Sequence, residues 1–318
     1  MGQDVSSYGK LGIEINGFFD IQQQFQLSPA ENKGIDYGQF EIGFSRGIAS
    51  FISAEGAIAY NGESEKFELG SALCNIQLFG QDDTYLYRHN IIVESGIKIG
   101  QFDIPFGLDY RYIPSPDRKF ISSPLIVDRT INAMNNLGLN LYTTFPSVNL
   151  NLFAVNGLME DDLSIGGRLG ALPIENLELG FSWLTNLGET GFTHCHLMGF
   201  DLSYQYSIFE LRAEFINSDG ILDGCLAENS LHFNHNGYYI QALTYLQEWI
   251  SLPLYSGFRV AEWLIDYHSE ITGPTKKFSF LMGYSITGSV DFRIEFQDEI
   301  GIHSQNISTI TSQIVLSF

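Results

Sequence analysis

The chain has 318 residues, a formal net charge of −21 and 17% charged residues, whereas an average soluble protein has about 25%. Such an excess of carboxylates excludes a nucleic-acid-binding protein, because binding to phosphates requires clustered lysine and arginine side chains. No run of about 18 apolar residues occurs, which excludes a transmembrane helix. The 25 Phe, 16 Tyr and 32 Gly residues predict a chain dominated by β-structure.

The first regular segment, residues 10–27, alternates between apolar and polar side chains. Ile13 and Ile15 are typical of one face, and Glu14 and Asp20 are typical of the other. Alternation with a period of two residues predicts a β-strand with one apolar face and one polar face. At ~3.4 Å per residue, this strand is long for a soluble β-sandwich, whose strands usually have about five or six residues.

The same alternation recurs along the whole chain and predicts about sixteen strands. The predicted strands are 10–27, 37–46, 49–61, 67–79, 91–100, 136–145, 147–156, 163–171, 177–187, 196–206, 208–217, 238–249, 255–267, 277–287, 290–298 and 307–318.

Long and short connections alternate between these strands, with the segment 80–90 as the exception. The long ones are 28–36, 62–66, 101–135, 157–162, 188–195, 218–237, 268–276 and 299–306. This pattern predicts a single domain, 1–318, that is a transmembrane antiparallel up-and-down β-barrel with long external loops and short periplasmic turns. A soluble sandwich would not place its long loops at one end, and no repeat typical of a propeller occurs.

A motif of glycine, proline and phenylalanine follows the fifth predicted strand. It reads GQFDIPFG from Gly100 to Gly107, and FISSPLIVDR follows downstream. Over about 95–157, the chain resembles the phosphate-selective porin (porin O and P) family of Gram-negative outer membranes. The resemblance implies a porin whose loop after the fifth strand, here 101–135, folds into the lumen and narrows it. The chain lacks the dense ladder of inward arginines that anion selectivity requires, so the resemblance supports a porin more than a phosphate channel.

The segment 101–135 carries four of the sixteen basic residues of the chain. The predicted constriction residues are Asp103, Asp109, Arg111, Asp117, Arg118, Lys119, Asp128 and Arg129. Bases on one side and acids on the other would create a transverse field that orients polar solutes. Alternatively, the two kinds of charge pair with each other and fix the loop.

The polar faces of the predicted strands supply the residues of a lumen wall. The predicted acids are Glu14, Asp20, Glu41, Glu55, Glu94, Glu178, Asp201, Glu210, Glu214, Asp291 and Glu295, and the bases are Lys98, Arg168, Arg212, Arg259 and Arg293. Carboxylates predominate, and a wall with this charge concentrates cations. The sequence therefore predicts a water-filled channel for passive diffusion of small hydrophilic solutes or ions, with weak cation preference.

Two other functions stay open at this point. One is a structural or adhesive barrel whose external loops bind a partner, and the other is an anion-selective porin whose selectivity is set by loop 101–135. An enzyme is not expected, because the sequence contains no G-x-S-x-G, H-E-x-x-H, G-x-G-x-x-G or P-loop motif. No cofactor is expected.

The cysteines do not form a disulfide framework. Cys195 and Cys225 fall in the fifth and sixth predicted external loops, among several histidines. Three interpretations remain: residues without a role, a disulfide that an oxidising exterior permits, or a metal site. Their spacing matches no standard zinc motif, and no metal is expected. Cys74 falls on an apolar strand face and is interpreted as a packed thiol.

The chain ends in ITSQIVLSF, an alternating segment that finishes on Phe318. This ending resembles the C-terminal signal by which outer-membrane barrels are recognised for insertion, and the last strand is expected to pair with the first. The predicted lipid-facing residues are Ile310, Ile314, Leu316 and Phe318, with Gln313 facing water.

The resemblance and the strand pattern together place the protein in a bacterial outer membrane. MGQDVSSYG lacks the features of a signal peptide, so the sequence is interpreted as a mature chain from which the signal has been removed. The expected partners are the lipid bilayer, lipopolysaccharide and, through Phe318, the barrel-insertion machinery. A homotrimer is expected by analogy, and no nucleic acid is expected.

Overall fold

The computed structural model describes residues 12–28, 30–62, 65–80, 92–130, 134–157, 163–187, 196–219, 233–267, 270–301 and 306–318. They form one closed barrel in which every strand pairs antiparallel with its neighbours in the sequence. The strands are β1 Glu14–Ser28, β2 Ala30–Ala49, β3 Ile52–Asn61, β4 Lys66–Phe79, β5 Glu94–Asp103, β6 Asn135–Phe145, β7 Val148–Asn156, β8 Leu163–Ile174, β9 Leu177–Leu187, β10 His196–Tyr206, β11 Phe209–Asp219, β12 Phe233–Tyr245, β13 Leu254–Tyr267, β14 Glu270–Thr287, β15 Val290–Ile300 and β16 Ile307–Ser317. The prediction of a sixteen-stranded up-and-down barrel is confirmed.

Among the described residues, helical structure is confined to short pieces of the connections. A 3₁₀ turn covers Asp109–Arg111, α1 covers Leu125–Arg129 and α2 covers Gln247–Ile250. No helix in the described ranges is long and apolar enough to cross a membrane.

The first and last strands close the barrel. β1 pairs antiparallel with β16, with Ile21 opposite Ile314. Beyond the last strand residue, Gly17 N donates to Phe318 O at 3.1 Å and Phe318 N donates to Gly17 O at 3.0 Å. Closure therefore leaves no open edge in the sheet, which is the condition for a sheet in lipid.

The two faces of the sheet differ as the alternation predicts. On β11, Phe209 and Phe215 of the outer face are 49% and 40% exposed, whereas Arg212 and Glu214 of the inner face are 8% and 3% exposed. On β16, Gln313 is buried on the inner face and Ile314 is exposed on the outer face. On these strands the large apolar side chains are therefore exposed on the outer face, and charged and polar side chains are enclosed on the inner face.

Two predicted external loops are wrong, because the structure continues the strands through them. β2 begins at Ala30 within predicted loop 28–36, and β14 begins at Glu270 within predicted loop 268–276. Both segments are polar, yet a hairpin ladder can extend beyond an apolar face because its backbone groups satisfy each other. Pro274, which has no N–H to donate, lies where the β13–β14 register shifts, as expected for proline in a sheet.

The predicted end of the twelfth strand is also wrong. The strand stops at Tyr245, and the backbone N–H groups of Trp249 and Ile250 donate to Leu246 O at 3.0 and 3.1 Å. These bonds form α2 in place of strand residues 246–249. Pro253 follows directly and ends the irregular segment before β13, because proline cannot continue a hydrogen-bonded turn.

An arginine on the outer face tests whether that face contacts lipid. Phe280 is 50% exposed and lies between Phe258 and Phe296 of the adjacent strands. We expect Phe280→Arg to reduce the free energy of unfolding by about 2–4 kcal/mol, the cost of a charge near the bilayer midplane. Urea titration of the protein in lipid vesicles measures it. Ala59→Arg on the inner face, opposite Glu41 and Glu68, is the control, and an equal loss in both variants would contradict this assignment of the faces.

Candidate functional site

The described part of the connection between β5 and β6, residues 104–130 and 134, packs against the inner face of the barrel and is called the inner loop. Its two ends are joined by a hydrogen bond from Ile104 N to Met134 O at 3.0 Å. Ile104, Phe106 and Leu108 are at most 2% exposed, although they belong to a connection between strands. A loop can be buried only where its polar groups find partners, so the contacts of the inner loop decide its position.

Apolar side chains attach the inner loop to one side of the wall. Ile104, Phe106, Leu125 and Ile126 form one buried cluster with inner-face residues of seven strands, β5, β7 and β9–β13. The wall members of this cluster include Val155, Leu184, Leu197, Ile216, Tyr239, Ala261 and Trp263. Burial of each large apolar side chain contributes roughly 1.5–3 kcal/mol, so this cluster alone is enough to hold the base of the loop against the wall.

Steric constraints explain why glycine occurs at two positions of the GQFDIPFG motif. Gly100 has φ +134°, and a Cβ there would lie 2.1 Å from Ala72 O of the neighbouring strand. Gly107 has φ +67°, and a Cβ there would lie 1.7 Å from Glu214 Oε1. Both positions combine a left-handed backbone with close approach, which only glycine tolerates. The motif therefore allows the chain to leave β5 and turn onto Glu214.

An arginine–carboxylate network holds the loop at β8–β10. Arg111 donates to both oxygens of Glu178 at 2.7 and 2.9 Å. Arg168 lies beneath this pair and donates to Glu178 at 2.8 Å and to Asp201 at 2.6 Å. Gly107 N donates to Ser182 Oγ at 3.0 Å. Burial alone would lower the pKa of Arg111, but the hydrogen bonds with Glu178 raise it above its ordinary value.

A second network holds the far end of the loop at β13 and β15. Ile121 N and Ser122 N donate to Glu295 Oε2 at 2.6 and 2.9 Å, and Ser122 Oγ donates to Glu295 Oε1 at 2.7 Å. Arg259 donates to Ser122 O at 3.0 Å and lies 3.4 Å from Glu295. Glu295 is fully buried, so its charge is compensated by donors of the loop itself.

The same end of the loop reaches the barrel seam. Ser115 Oγ donates to Asp20 and also approaches Gln39 Oε1 at 2.7 Å. Ser115 O accepts from Arg293 Nη1 at 2.9 Å. Asp20, Ser115 and Arg293 are all 0% exposed. The inner loop is thus fixed on opposite sides of the barrel, at β9 and at the β1–β15 side.

Three cations of this region lie over aromatic rings. Arg212 is 3.4 Å from the centre of the Tyr112 ring, Arg259 is 4.5 Å from that of Phe120, and Lys119 is 4.8 Å from that of Tyr255. Lys119 also forms an ion pair of 3.3 Å with Asp291. Such contacts favour burial of the arginine plane against the loop.

The predicted constriction residues are not all brought together. Arg111 and Lys119 pair with Glu178 and Asp291 of the wall, so neither of the two predicted arrangements describes them. Asp103 is the last residue of β5 and accepts from Asn135 at 2.8 Å. Asp128 and Arg129 lie in α1 and are exposed.

Two buried charges of the inner loop are perturbed. Burial raises the pKa of Asp109 above its ordinary value, although Arg259 and Arg212 oppose the shift. Burial lowers the pKa of Arg118, and Asp20 partly offsets this. Asp109 Oδ2 is buried without a hydrogen-bond partner among the described residues. The ionised forms of both groups are therefore costly in their positions.

The predicted wall residues divide into two sets. Arg168, Arg212, Arg259 and Arg293 are at most 8% exposed, and each has a carboxylate partner. In contrast, Glu41 and Glu55 on β2 and β3 form no ion pair with any described residue. Asp117 of the inner loop also lacks one, and its negative charge acts on the Glu41 carboxylate. On the inner face near β2 and β3, the charged groups without an ion pair are thus carboxylates.

The remaining predicted wall residues lie towards the ends of strands or beside a tyrosine. Glu14 is exposed at the start of β1 and accepts from Ser45 at 3.4 Å. Glu94 accepts from Tyr142 at 3.3 Å, and Lys98 lies 5.9 Å from the centre of the same ring. These contacts place Glu94 and Lys98 on one section of the inner wall.

Several anchoring residues were missed by sequence reasoning. Ser115, Ser122 and Ser182 carry no signal that distinguishes them from other serines. The apolar anchors do carry one, because Phe153 and Val155 of β7 are apolar on the face that should be polar. Apolar residues on both faces of a strand indicate that something other than water covers the inner face.

The cysteine interpretations are mostly outside the described residues. Cys195, Cys225 and His194 lie there, so the three alternatives for the two cysteines stay untested. His196 Nδ1 is 3.1 Å from Thr185 Oγ1. In the part of the chain that the structure describes, no group of three His, Cys, Asp or Glu residues could hold a metal. Cys74 is a free thiol.

A cavity of about 760 Å³ remains between the inner loop and the wall. It is lined by loop residues that include Tyr112 and Arg118, and by inner-face residues of β1, β2 and β11–β16. The seated loop therefore narrows the lumen without filling it.

Comparison with known proteins shows similarity in fold only. No protein-family model matches the chain, and no curated protein matches it. Among solved structures, it is similar to the OmpF of Salmonella typhi in complex with daunomycin, with 9% identity, a TM-score of 0.67, and coverage of 96% of this chain and 97% of the other. It is also similar to an anion-selective porin of Comamonas acidovorans, with 10% identity, a TM-score of 0.65, and coverage of 96% and 99%.

The trimer form of OmpT, an outer membrane protein of Vibrio cholerae, gives 9% identity, a TM-score of 0.66, and coverage of 96% and 99%. Coverage of nearly the whole of each chain means that the barrel is matched as a unit. The fold of this protein is therefore porin-like.

Removal of the Glu295 carboxylate tests the anchoring of the inner loop. Glu295→Ala would leave Arg259 buried beside two unpaired loop N–H groups, and we expect it to reduce the free energy of unfolding by about 3–5 kcal/mol. Urea unfolding in lipid vesicles measures the loss. Glu55→Ala, which removes a wall carboxylate without an ion pair, should change it by less than about 1 kcal/mol. Equal effects of the two substitutions would show that Glu295 is not an anchor.

Neutralisation of Asp109 has an effect that depends on pH. The folded protein binds the Asp109 proton more tightly than the unfolded chain does, so the ionised carboxylate destabilises the fold as pH rises through the raised pKa. We expect Asp109→Asn to raise the urea midpoint at pH 8. The two urea midpoints should not differ at pH values below 3.8, the ordinary pKa of the group, because Asp109 is then protonated in both the folded and the unfolded protein. A lower midpoint for the variant at pH 8 would mean that Arg212 and Arg259 outweigh burial.

Proposed function

We propose that the protein is an outer-membrane porin, a water-filled channel for passive diffusion of small hydrophilic solutes or ions. The observation that carries this proposal is a closed barrel of sixteen strands with a polar inner face and a loop that leaves a cavity of about 760 Å³. Barrels of about sixteen strands are too wide for wall side chains alone to fill them. The inner loop acts as the constriction.

The proposed channel has a weak preference for cations. The arginines of the inner wall form ion pairs with carboxylates or hydrogen bonds with the inner loop, so they contribute little positive potential to the open passage. The carboxylates of Glu41, Glu55 and Asp117 form no ion pair within the described part of the chain. A low-dielectric wall with unpaired carboxylates raises the local concentration of cations.

Anion selectivity is the second candidate. It is favoured by Arg118 and Lys277, which line the cavity and form no ion pair with described residues. The structural comparison with an anion-selective porin supports the fold equally for both candidates. Steric constraints on the path of the loop explain the glycines of the motif from Gly100 to Gly107. We therefore infer that the resemblance to phosphate-selective porins reflects how the loop packs and does not indicate phosphate as the solute.

The proposal includes the surroundings of the barrel. The apolar outer face fits contact with the lipid bilayer and, at the loop end, with lipopolysaccharide. Phe318 is 64% exposed at the seam, where insertion machinery could bind it. A homotrimer is supported by the trimer form of the structurally similar OmpT. A structural or adhesive role is less favoured because the cavity leaves the lumen open.

Planar-bilayer recording tests the channel and its selectivity. We expect stepwise conductance, and a reversal potential in a tenfold KCl gradient that has the sign of cation preference. Absence of conductance from folded, inserted protein would overturn the channel. A reversal potential of the opposite sign would favour the anion-selective candidate.

The acidic side of the lumen is tested by the double substitution Glu41→Gln with Asp117→Asn. Loss of two unpaired negative charges should reduce the cation-to-anion permeability ratio at least twofold at low salt, where screening is weak. Asp219→Asn, at the exposed end of β11, makes the same chemical change outside the lumen and should leave the ratio unaltered. A ratio that responds equally to both changes would locate the selectivity elsewhere.

A further inference from the structure

The cavity beside the inner loop differs in charge from the chain as a whole. Six carboxylates and five bases line it, whereas the chain carries a net charge of −21. Several of these charges are engaged: Arg259 binds the loop at Ser122, and Lys119 pairs with Asp291. Lys277 lies directly opposite Glu299 in the β14–β15 register. The cavity is therefore close to electrically balanced.

Neutral hydrogen-bonding side chains form a continuous surface on one wall of this cavity. They are Gln22 and Gln24 of β1, Gln297 of β15, and Thr309 and Thr311 of β16, and are called the amide patch. All five line the cavity, and the register places Gln24 opposite Thr311 and Gln297 opposite Thr309. The patch thus extends across three adjacent strands.

The two threonines of the amide patch are enclosed by their surroundings but border the cavity. Thr309 and Thr311 are only 6% and 5% exposed, and neither donates a side-chain hydrogen bond to a described residue. Their hydroxyl groups are nevertheless not fully enclosed by protein. Buried polar groups require hydrogen-bond partners. In this position the partner has to come from the cavity, as water or as a solute.

We propose that the cavity is a binding subsite for uncharged polyhydroxylated solutes, such as sugars and polyols, and this rests on the proposed porin function. A hydroxyl group both donates and accepts, as the amide and hydroxyl groups of the patch do, so a polyol can satisfy several of them at once. Tyr110 and Tyr112 line the loop side; Arg212 covers one face of the Tyr112 ring, and the remaining aromatic surface fits the C–H face of a sugar ring. The volume of about 760 Å³ lies in the range of small-molecule sites, roughly 300–1,000 Å³.

A charged solute of the same size fits less well. It would lose its hydration shell in the cavity, and because six carboxylates and five bases nearly balance each other there, no large net charge of the wall would offset the desolvation cost. The amide patch therefore selects for solutes without charge, whereas the acidic side of the lumen acts on small ions.

Current block by a disaccharide tests this subsite on the full chain in planar bilayers. We expect maltose to reduce the ion current in a saturable manner, and the anionic maltobionate and the cationic glucosamine disaccharide to act only at concentrations at least tenfold higher. The double substitution Gln24→Leu with Thr311→Val should raise the half-saturating maltose concentration at least tenfold. Gln77→Leu, an inner-face amide of β4 outside the cavity, should not change it.

The outcomes separate the subsite from the channel. A maltose effect that stays linear with concentration, in channels that conduct normally, would overturn the subsite and leave the porin intact. Tighter block by either charged disaccharide would overturn the selection for uncharged solutes. Absence of any conductance would overturn the proposed function itself.

Discussion

The carboxylate of Glu295 is the contact on which the shape of the lumen depends most. It is fully buried and receives two backbone N–H groups and one hydroxyl from the inner loop. A buried carboxylate needs several donors, and a buried loop needs acceptors for its N–H groups. Because each group satisfies the other, the far end of the loop has one stable position, and the cavity beside it has a defined volume.

The charged residues of the inner wall fall into two groups, those paired with each other or with the inner loop and those without an ion pair. Around β8–β15, arginines and carboxylates neutralise each other and hold the loop, as Arg168 does between Glu178 and Asp201. Around β2 and β3, Glu41 and Glu55 form no ion pair with the residues that the structure describes. The charges that anchor the loop and the carboxylates without an ion pair thus lie on different strands of the inner wall, and the large net negative charge of the chain resides partly in side chains that do not anchor the loop.

Much of the barrel could be predicted because a strand in lipid has to alternate. The period of two in segments such as Phe209–Phe215 indicates both the strand and its faces, and the closure by Phe318 follows from the same rule. The ends of β2 and β14 could not be predicted, since polar hairpin extensions have the composition of loops. The partners of the inner loop could not be predicted either, because contacts such as Ser115 with Asp20 join residues that are far apart in sequence. Apolar inner-face residues such as Val155 and Ile216 did signal that a covering element exists.

The central claim is that the seated inner loop, and not the barrel wall, sets the width of the passage. The most direct measurement is the single-channel conductance of a variant in which residues 108–130 are replaced by a short glycine-serine linker, with folding verified by heat-dependent migration in electrophoresis. The account predicts a conductance several-fold above that of the intact protein and loss of saturable maltose block. A folded variant whose conductance equals that of the intact protein would contradict it.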